Sequence, residues 1–275
     1  MMEEPKPAET AQTEPAWNVN GMEEDELKAL QKASGISKKI VRFAKETAAK
    51  EKSLLRIAEL VEGKIKEEGG ECAFPANLSL NDQAAHYTPT ADDMALAGEK
   101  DLLKVDLGVA VDGFCTDFAF TVDFSRENGK MVDAVDEALQ NALSMMKAGT
   151  DTSDIGKEIE RTIKGYGLKP IENLCGHMMG QYDLHAGIEI PNVETNSGYK
   201  LEEGDVFAVE PFATTGEGRV IEGDYCQIYA LSTEKPAVRL PKSRELLAKI
   251  AADRLTLPFA ARWYKDVGML NLAIR

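Results

Sequence analysis

The stretch from Asp101 to Phe124, DLLKVDLGVAVDGFCTDFAFTVDF, constrains the fold more than any other part of the sequence. Apolar residues alternate on both sides of Gly113, a pattern typical of two strands joined by a tight turn. Two aspartates, Asp106 and Asp117, interrupt these apolar runs. Unpaired buried carboxylates are costly, and carboxylates on adjacent strands of one hairpin can face each other. We therefore expect a cation between them, with a strand-end aspartate in a turn as the alternative explanation of Asp106 alone.

The bulk composition excludes several classes of protein. The chain has 275 residues, of which 43% are hydrophobic, enough for one large domain or two small ones. Its net charge of −15 makes it a poor candidate for nucleic-acid binding. We find no apolar run long enough for a membrane span and no secretory signal. The four scattered cysteines predict reduced thiols in a cytoplasmic protein; they are Cys72, Cys115, Cys175 and Cys226.

The order of predicted elements repeats along the chain. Residues 1–22 are rich in Pro, Glu, Ala and Thr, which predicts a disordered acidic tail, unless Met22 is the true initiator. Two helices follow, with Ser53 as the N-cap of the second, and then come strands. Helices over about 131–147 and from Ser153 onward precede a second set of strands. This order predicts an α+β protein of two related halves, followed by a helical C-terminal segment.

Two further residues carry charge into apolar surroundings. Glu210 is the only charge within the strand-like run VFAVEPFA, and His177 opens the glycine-bounded run GHMMGQYDLHAG. Each has an ordinary structural explanation by itself, a strand-end glutamate or a core histidine. Together with Asp106 and Asp117 they form a ligand set suited to Mn, Fe, Co or Zn. Two such ions that share a carboxylate can generate a hydroxide nucleophile and polarise a carbonyl.

Several motifs resemble those of type II methionine aminopeptidases, the archaeal and eukaryotic class of peptidase family M24. They are FPANLSLNDQAAHYTP, KVDLG, CTDFAFTV, GHMMGQYDLHAG and VFAVEPFATTGEG. The resemblance implies the pita-bread fold, in which two pseudo-symmetric halves share a mixed, mainly antiparallel curved sheet covered by helices. It assigns residues 23–231 to this catalytic domain and residues 232–275 to the start of the helical insertion that marks the class.

The resemblance also implies the roles of the metal ligands and of two histidines. Asp106 would chelate one ion, Asp117 would bridge two ions, and His177 and Glu210 would hold the other ion. His86, in AAHYT, would contact the amide of the scissile bond. His185 would hydrogen-bond the substrate carbonyl and help to stabilise the developing oxyanion.

Two aromatic residues match positions that line the methionine pocket in the family. They are Phe74 and Phe212, and ordinary core aromatics are the alternative explanation of both. A methionine side chain requires an apolar, polarizable pocket, which these rings would supply.

The implied activity is removal of the initiator methionine from nascent proteins whose second residue is small, by attack of a metal-activated hydroxide on the scissile carbonyl. Two divalent ions would serve as cofactors, and the ribosome is a candidate partner of what is expected to be a monomer. One alternative is a catalytically impaired or non-enzymatic binding protein on the same fold. Another is a peptidase that cuts X-Pro bonds, against which the motif AAHYTP argues.

The family has a fifth metal ligand, a bridging glutamate on a strand that follows the insertion. No matching motif occurs in this sequence. The glutamates near the C-terminus of this chain, Glu222, Glu234 and Glu245, stand in the wrong sequence context. The site held by Asp106 and Asp117 should therefore bind its ion more weakly, and the sheet should have an open edge. We expect the sequence to be a fragment of a longer gene product, with a split gene or a partner chain as alternatives.

Overall fold

The computed structural model describes residues 22–49, 51–223, 227–231 and 238–264. Most of the predicted N-terminal tail lies outside the described residues, as do Cys226, Glu234 and parts of the predicted insertion, residues 232–237 and 265–275. The proposed domain boundaries therefore stay predictions. No helix in the described ranges has both the length and the apolar character that a bilayer crossing requires.

The first half consists of two helices packed on an antiparallel sheet. Strand β3 pairs with β4 along its full length on one side, and with β1 and β2 in turn on the other. The predicted hairpin is thus confirmed. The elements are α1 (Glu24–Thr47), α2 (Leu54–Glu67), β1 (Glu71–Cys72), β2 (Asn77–Leu80), β3 (Leu102–Val111) and β4 (Phe114–Asp123).

The second half repeats the order of helix, helix and strands, as the sequence predicted. Strand β6 lies between β7 and β8, and β5 pairs with β9, all antiparallel. The fourth helix begins one residue earlier than predicted because Asp151, whose side chain accepts from the amide of Ser153, is its N-cap. The elements are α3 (Gly129–Met145), α4 (Thr152–Gly165), β5 (Lys169–Pro170), β6 (Cys175–Met178), β7 (Glu189–Pro191), β8 (Phe207–Ala208) and β9 (Ala213–Thr214).

The described part of the C-terminal segment, residues 238–264, is only partly helical, which corrects the prediction for those residues. After β10 (Ile228–Tyr229) and α5 (Pro241–Arg254), residues Phe259–Ala260 form β11 and pair with β10. A 3-10 turn, Ala261–Trp263, follows. Pro258 explains the difference, because a proline disfavours helical backbone in the residue before it and cannot donate a helical hydrogen bond.

Two hydrogen bonds join the tip of the hairpin to the second half. The amide of Tyr182 donates to the carbonyl oxygen of Gly113 at 2.8 Å. The side-chain amide of Gln181 donates to the carbonyl oxygen of Asp112 at 2.9 Å. The turn between β3 and β4 is therefore fixed against the loop that follows β6, so that the two halves meet at the GHMMGQYDLHAG motif.

The buried face of α1 differs from the one that apolar spacing in the sequence predicts, which consists of Leu27, Leu30, Ile36, Ile40 and Phe43. Ile36 and Ile40 are buried as expected, together with three alanines, Ala29, Ala33 and Ala44. Leu27, by contrast, keeps 45% of its surface exposed. Small residues dominate this face because α1 lies close against strands β3 and β4.

We predict that Ile40→Ala lowers the free energy of unfolding by about 2–5 kcal/mol, because it leaves a cavity in a fully buried position. The matched change Leu27→Ala should cost less than about 1 kcal/mol, because little apolar area is lost there. Urea unfolding of both variants measures this difference. Equal losses would mean that α1 presents another face to the sheet.

Candidate metal centre and active site

The register of the hairpin puts both aspartates on one face of the sheet. Asp106 pairs with Ala119 and Asp117 pairs with Gly108, so the two carboxylates are diagonal neighbours and do not lie directly opposite each other. The apolar residues on either side of Asp106, Val105 and Leu107, point to the opposite face and are buried in the core. The hairpin thus turns its acidic face away from the helices of its own half.

Gly108 makes room for Phe74 on this acidic face. A Cβ atom at Gly108 would lie 2.5 Å from Cε1 of Phe74, which excludes any larger residue. The Phe74 ring is buried and packs in a cluster with Met179 and Leu184 of the second half. The ring therefore lies beside Gly108, the residue that pairs with Asp117 across β3 and β4.

The second half contributes its two candidate ligands from β6 and from the residues just after β8. His177 lies on β6 opposite Ala208 of β8, and Glu210 follows two residues further along that chain segment. Gly176 permits this approach, because a Cβ there would lie 2.3 Å from the carbonyl oxygen of Ala208. The close contact of the two backbones directs His177 and Glu210 to the same place.

Three of the four predicted ligands converge on one point between the halves. Asp117, His177 and Glu210 each offer a ligand atom, and these atoms all lie within 4.8 Å of one another. His177 Nε2 is 2.9 Å from Glu210 Oε1 and 3.4 Å from Asp117 Oδ2. The side chains of His177 and Asp117 are only 8% and 9% exposed.

Asp106 adjoins this cluster and does not belong to its tightest group. Its carboxyl interacts with that of Asp117. Its other neighbour is Asn77 of β2, whose Nδ2 donates to Asp106 Oδ2 at 3.0 Å. No pattern in the sequence indicates this role of Asn77, which follows from its pairing with Asp106 across β2 and β3.

The pKa values record strong crowding of negative charge. Burial, followed by the charges of Asp117 and Glu210, raises the pKa of Asp106 well above its ordinary value. Burial also raises the pKa of Asp117 to about 6, against the effect of a hydrogen bond with His177. Burial lowers the pKa of His177, but its hydrogen bonds with Asp117 and Glu210 outweigh this and raise it to about 10. Carboxylates crowded in this way favour a cation between them, either a proton or a metal ion.

The donor set fits a divalent ion. Nε2 of His177 points at the two carboxylates, as a ligand atom would, while its Nδ1 is buried without a described hydrogen-bond partner. Carboxylate oxygens with one imidazole suit a first-row divalent ion, whereas structural zinc sites are dominated by cysteine. The cluster therefore has the chemistry of a catalytic rather than a structural centre.

The other two histidines lie at the mouth of this centre. The ring centroids of His185 and His177 are 4.2 Å apart, and His185 is exposed. Loss of solvent around the ring and the charge of His177 lower the pKa of His185, and the charge of His86 adds to the effect. His86 is also exposed and stands in left-handed backbone with a φ of 63°.

The described contacts of Phe212 are made by its backbone, whereas those of Phe74 are made by its ring. Its carbonyl oxygen accepts from the amide of Ile171 at 3.0 Å, next to the pairing of β5 with β9, and its side chain is half-buried. Phe74 is tied to the acidic face by packing, and Phe212 is tied to the second half by its backbone. A pocket role for Phe212 stays a prediction.

The family model described as metallopeptidase family M24 matches residues 28–242. The chain belongs to this family. It therefore belongs to a class of peptidases that bind divalent metal, and the resemblance drawn from the motifs is confirmed.

The similar proteins agree with this assignment. A methionine aminopeptidase of Pyrococcus horikoshii is 47% identical over 247 residues, which cover 88% of this chain and 83% of that protein. The crystal structure of a methionine aminopeptidase from Thermotoga maritima covers 74% of this chain and 85% of its own, with 25% identity and a TM-score of 0.68. A thermophilic Arx1 structure has a TM-score of 0.79, covers 92% of this chain and 80% of its own, and at 19% identity shows the pita-bread fold alone.

We predict that Gly176→Ala weakens Mn²⁺ binding by about tenfold or more, because the added Cβ forces β6 and β8 apart and displaces His177 from Glu210. Isothermal titration with Mn²⁺ measures this effect. Gly63→Ala is the matched control: it lies in α2 with open space around it and should raise the free energy of unfolding by about 0.5–1 kcal/mol without changing metal affinity. Unchanged Mn²⁺ affinity in Gly176→Ala would contradict the ligand assignment on these strands.

Proposed function

We propose that this protein is a methionine aminopeptidase that removes the N-terminal methionine of nascent chains with a small second residue. The observation that carries the proposal is the buried cluster of Asp117, His177 and Glu210 with His185 at its mouth and Phe74 nearby. The names and identities of the archaeal relatives support the choice of substrate. Nascent chains are made in the cytoplasm, which is the proposed location.

In the proposed site, Asp117, His177 and Glu210 would hold one divalent ion, and Asp106 together with Asp117 would hold a second. Mn, Fe, Co and Zn all suit these donors. When bound, such ions supply Lewis acidity and an activated water. Asn77 holds the Asp106 carboxylate in position through its 3.0 Å hydrogen bond.

The exposed histidines act on the peptide. His185 donates a hydrogen bond to the carbonyl oxygen of the methionine and stabilises the negative charge that develops there. Its lowered pKa favours the neutral imidazole, which can still donate from one ring nitrogen. His86 contacts the amide of the scissile bond from the opposite loop. A free α-amino group, attracted by the excess of carboxylates, would restrict cleavage to the first residue of a chain.

Phe74, Met179 and Leu184 offer an apolar and polarizable surface to the methionine side chain. Phe212 is proposed as a further wall of this pocket. The second residue of the substrate would lie on the side of His86 and His185. Monomeric action and contact with the ribosome belong to the same proposal.

A binding protein without catalysis is the weaker candidate. Three buried or half-buried carboxylates around one imidazole are costly to hold together, and a surface that only binds partners gains nothing from them. Retention of both exposed histidines at the same mouth argues in the same direction.

We predict that Asp117→Asn abolishes both metal binding and release of methionine from a Met-Ala-Ser peptide in Mn²⁺ or Co²⁺, because Asp117 contacts both halves of the centre. Asp133→Asn, an exposed change on α3 with the same loss of charge, is the control and should keep full turnover. Chelation with EDTA should stop the wild-type reaction, and added Mn²⁺ should restore it. Wild-type turnover in Asp117→Asn would refute the assigned role.

Substitution of His177 and substitution of His185 should affect metal binding and kcat differently. His177→Ala is expected to lose metal, whereas His185→Ala is expected to keep metal and to lose about a hundredfold in kcat, as for removal of one oxyanion donor. Metal analysis after gel filtration, together with steady-state kinetics, separates these results. Loss of metal in His185→Ala would reverse the two assignments.

Metal titration should show two unequal sites. Among the described residues, Asp117, His177 and Glu210 would supply three ligands to one ion, whereas Asp106 and Asp117 would supply two to the other, so the first ion should bind more tightly in this chain. Calorimetry with Mn²⁺ measures both steps, and Asp106→Asn should remove the weak step alone. Two equal sites would contradict this account.

A further inference from the structure

We propose that Arg262 is a positioning residue that fixes the loop carrying His86 over the metal centre. The inference deepens the proposed function, because it rests on the role given there to His86. Arg262 lies near the C-terminal end of the described residues, far from His86 in the sequence. Nothing in the spacing of the sequence connects the two.

The guanidinium group of Arg262 is buried and makes three contacts with the first half. Its Nη1 donates to Thr88 Oγ1 at 2.5 Å and to the carbonyl oxygen of Pro89 at 3.0 Å. Its Nη2 donates to Glu62 Oε1. The side chains of Arg262 and Glu62 are only 4% and 8% exposed, so the pair is held out of solvent.

These contacts belong to a closed ring of hydrogen bonds. Thr88 Oγ1 donates to the carbonyl oxygen of Ala76 at 2.8 Å, and the amide of Ala76 donates to Glu62 Oε1 at 3.0 Å. Glu62 Oε2 accepts from Trp263 Nε1 at 2.8 Å. The ring therefore runs from Arg262 through Thr88, Ala76 and Glu62 back to Arg262, and it ties the loop after β2 to the segment before β2.

His86 needs such an anchor. Its φ of 63° lies in the left-handed region, which is unfavourable for a residue with a side chain. Strained backbone of this kind persists only where the surroundings over-determine it. The His86 side chain is exposed, so its own packing does not hold it. The buried residues that follow, Thr88 and Pro89, are the ones that Arg262 contacts.

The choice of arginine matters to this arrangement. A planar guanidinium presents several N–H groups in a fixed fork and can satisfy three acceptors at once, whereas a lysine ammonium on a flexible stem cannot keep that geometry. A loosened ring should therefore misplace His86 while the pocket around Phe74 stays formed.

The kinetic test compares Arg262→Lys, Thr88→Val and Thr88→Ser in release of methionine from Met-Ala-Ser. We expect Arg262→Lys and Thr88→Val to lower kcat by tenfold to a hundredfold, with KM changed less than about threefold, since small misplacements of reacting groups act on the rate. Thr88→Ser keeps the hydroxyl and should retain most of the rate. Arg244→Lys, an exposed arginine on α5, is the matched control. Wild-type kcat in both Arg262→Lys and Thr88→Val would overturn the proposal.

A double-mutant cycle identifies the route of the effect. In a His86→Ala background, Arg262→Lys should cause no further loss of kcat, because the residue through which it acts is gone. A full additional loss in that background would overturn the proposal, because Arg262 would then act elsewhere.

An NMR measurement decides the inference without any turnover. The chain has 3 histidines, so the His86 imidazole signal is identified by its absence in His86→Ala. We expect this signal to shift in Arg262→Lys and Thr88→Val and to stay in place in Arg244→Lys. An unchanged signal would overturn the positioning role. If the wild-type chain releases no methionine, the proposed function fails, while the His86 signal still reports whether Arg262 sets that loop.

Discussion

Repulsion among the carboxylates of Asp106, Asp117 and Glu210 must be balanced where the two halves of the fold meet. Three such groups in one place require a positive partner, and burial together with the neighbouring charges raises the pKa values of Asp106 and Asp117. His177 supplies part of that charge, and the donor set suits a divalent ion for the remainder. The first half contributes Asp106 and Asp117, and the second half contributes Glu210 and His177. The charges can therefore be balanced only where the two halves meet.

Backbone geometry delivers these groups with little freedom. The β3–β4 register fixes Asp106 and Asp117 as diagonal neighbours, and Gly176 lets β8 approach β6 closely enough to bring Glu210 to His177. The turn at Asp112 and Gly113 then attaches the hairpin to the loop that carries His185. A metal centre and its substrate-facing histidine are thus positioned by backbone hydrogen bonds rather than by long side chains.

The C-terminal segment adds a second layer of support. Arg254 donates to the carbonyl oxygens of Cys72 and Ala73 at 2.7 and 3.2 Å, just before Phe74. Arg262 holds the loop beyond His86 in the same manner. Two buried arginines from one segment therefore brace the chain on both sides of β2, where the first half contributes its aromatic and its histidine to the site.

Alternation and isolated charges in apolar runs are local patterns, so the hairpin, the repeated order of helices and strands, and the four candidate ligands could be predicted from the sequence. Three other features depend on the folded structure: Leu27 is exposed while alanines are buried, Phe259–Ala260 is a strand, and Asp106 stands beside the tightest ligand group rather than in it. The roles of Asn77 and Arg262 were also hidden, since each depends on partners far away in the sequence. A local sequence pattern indicates whether a residue favours a helix, a strand, or a buried position. Strand register and close backbone contacts decide which residues it contacts in the folded chain.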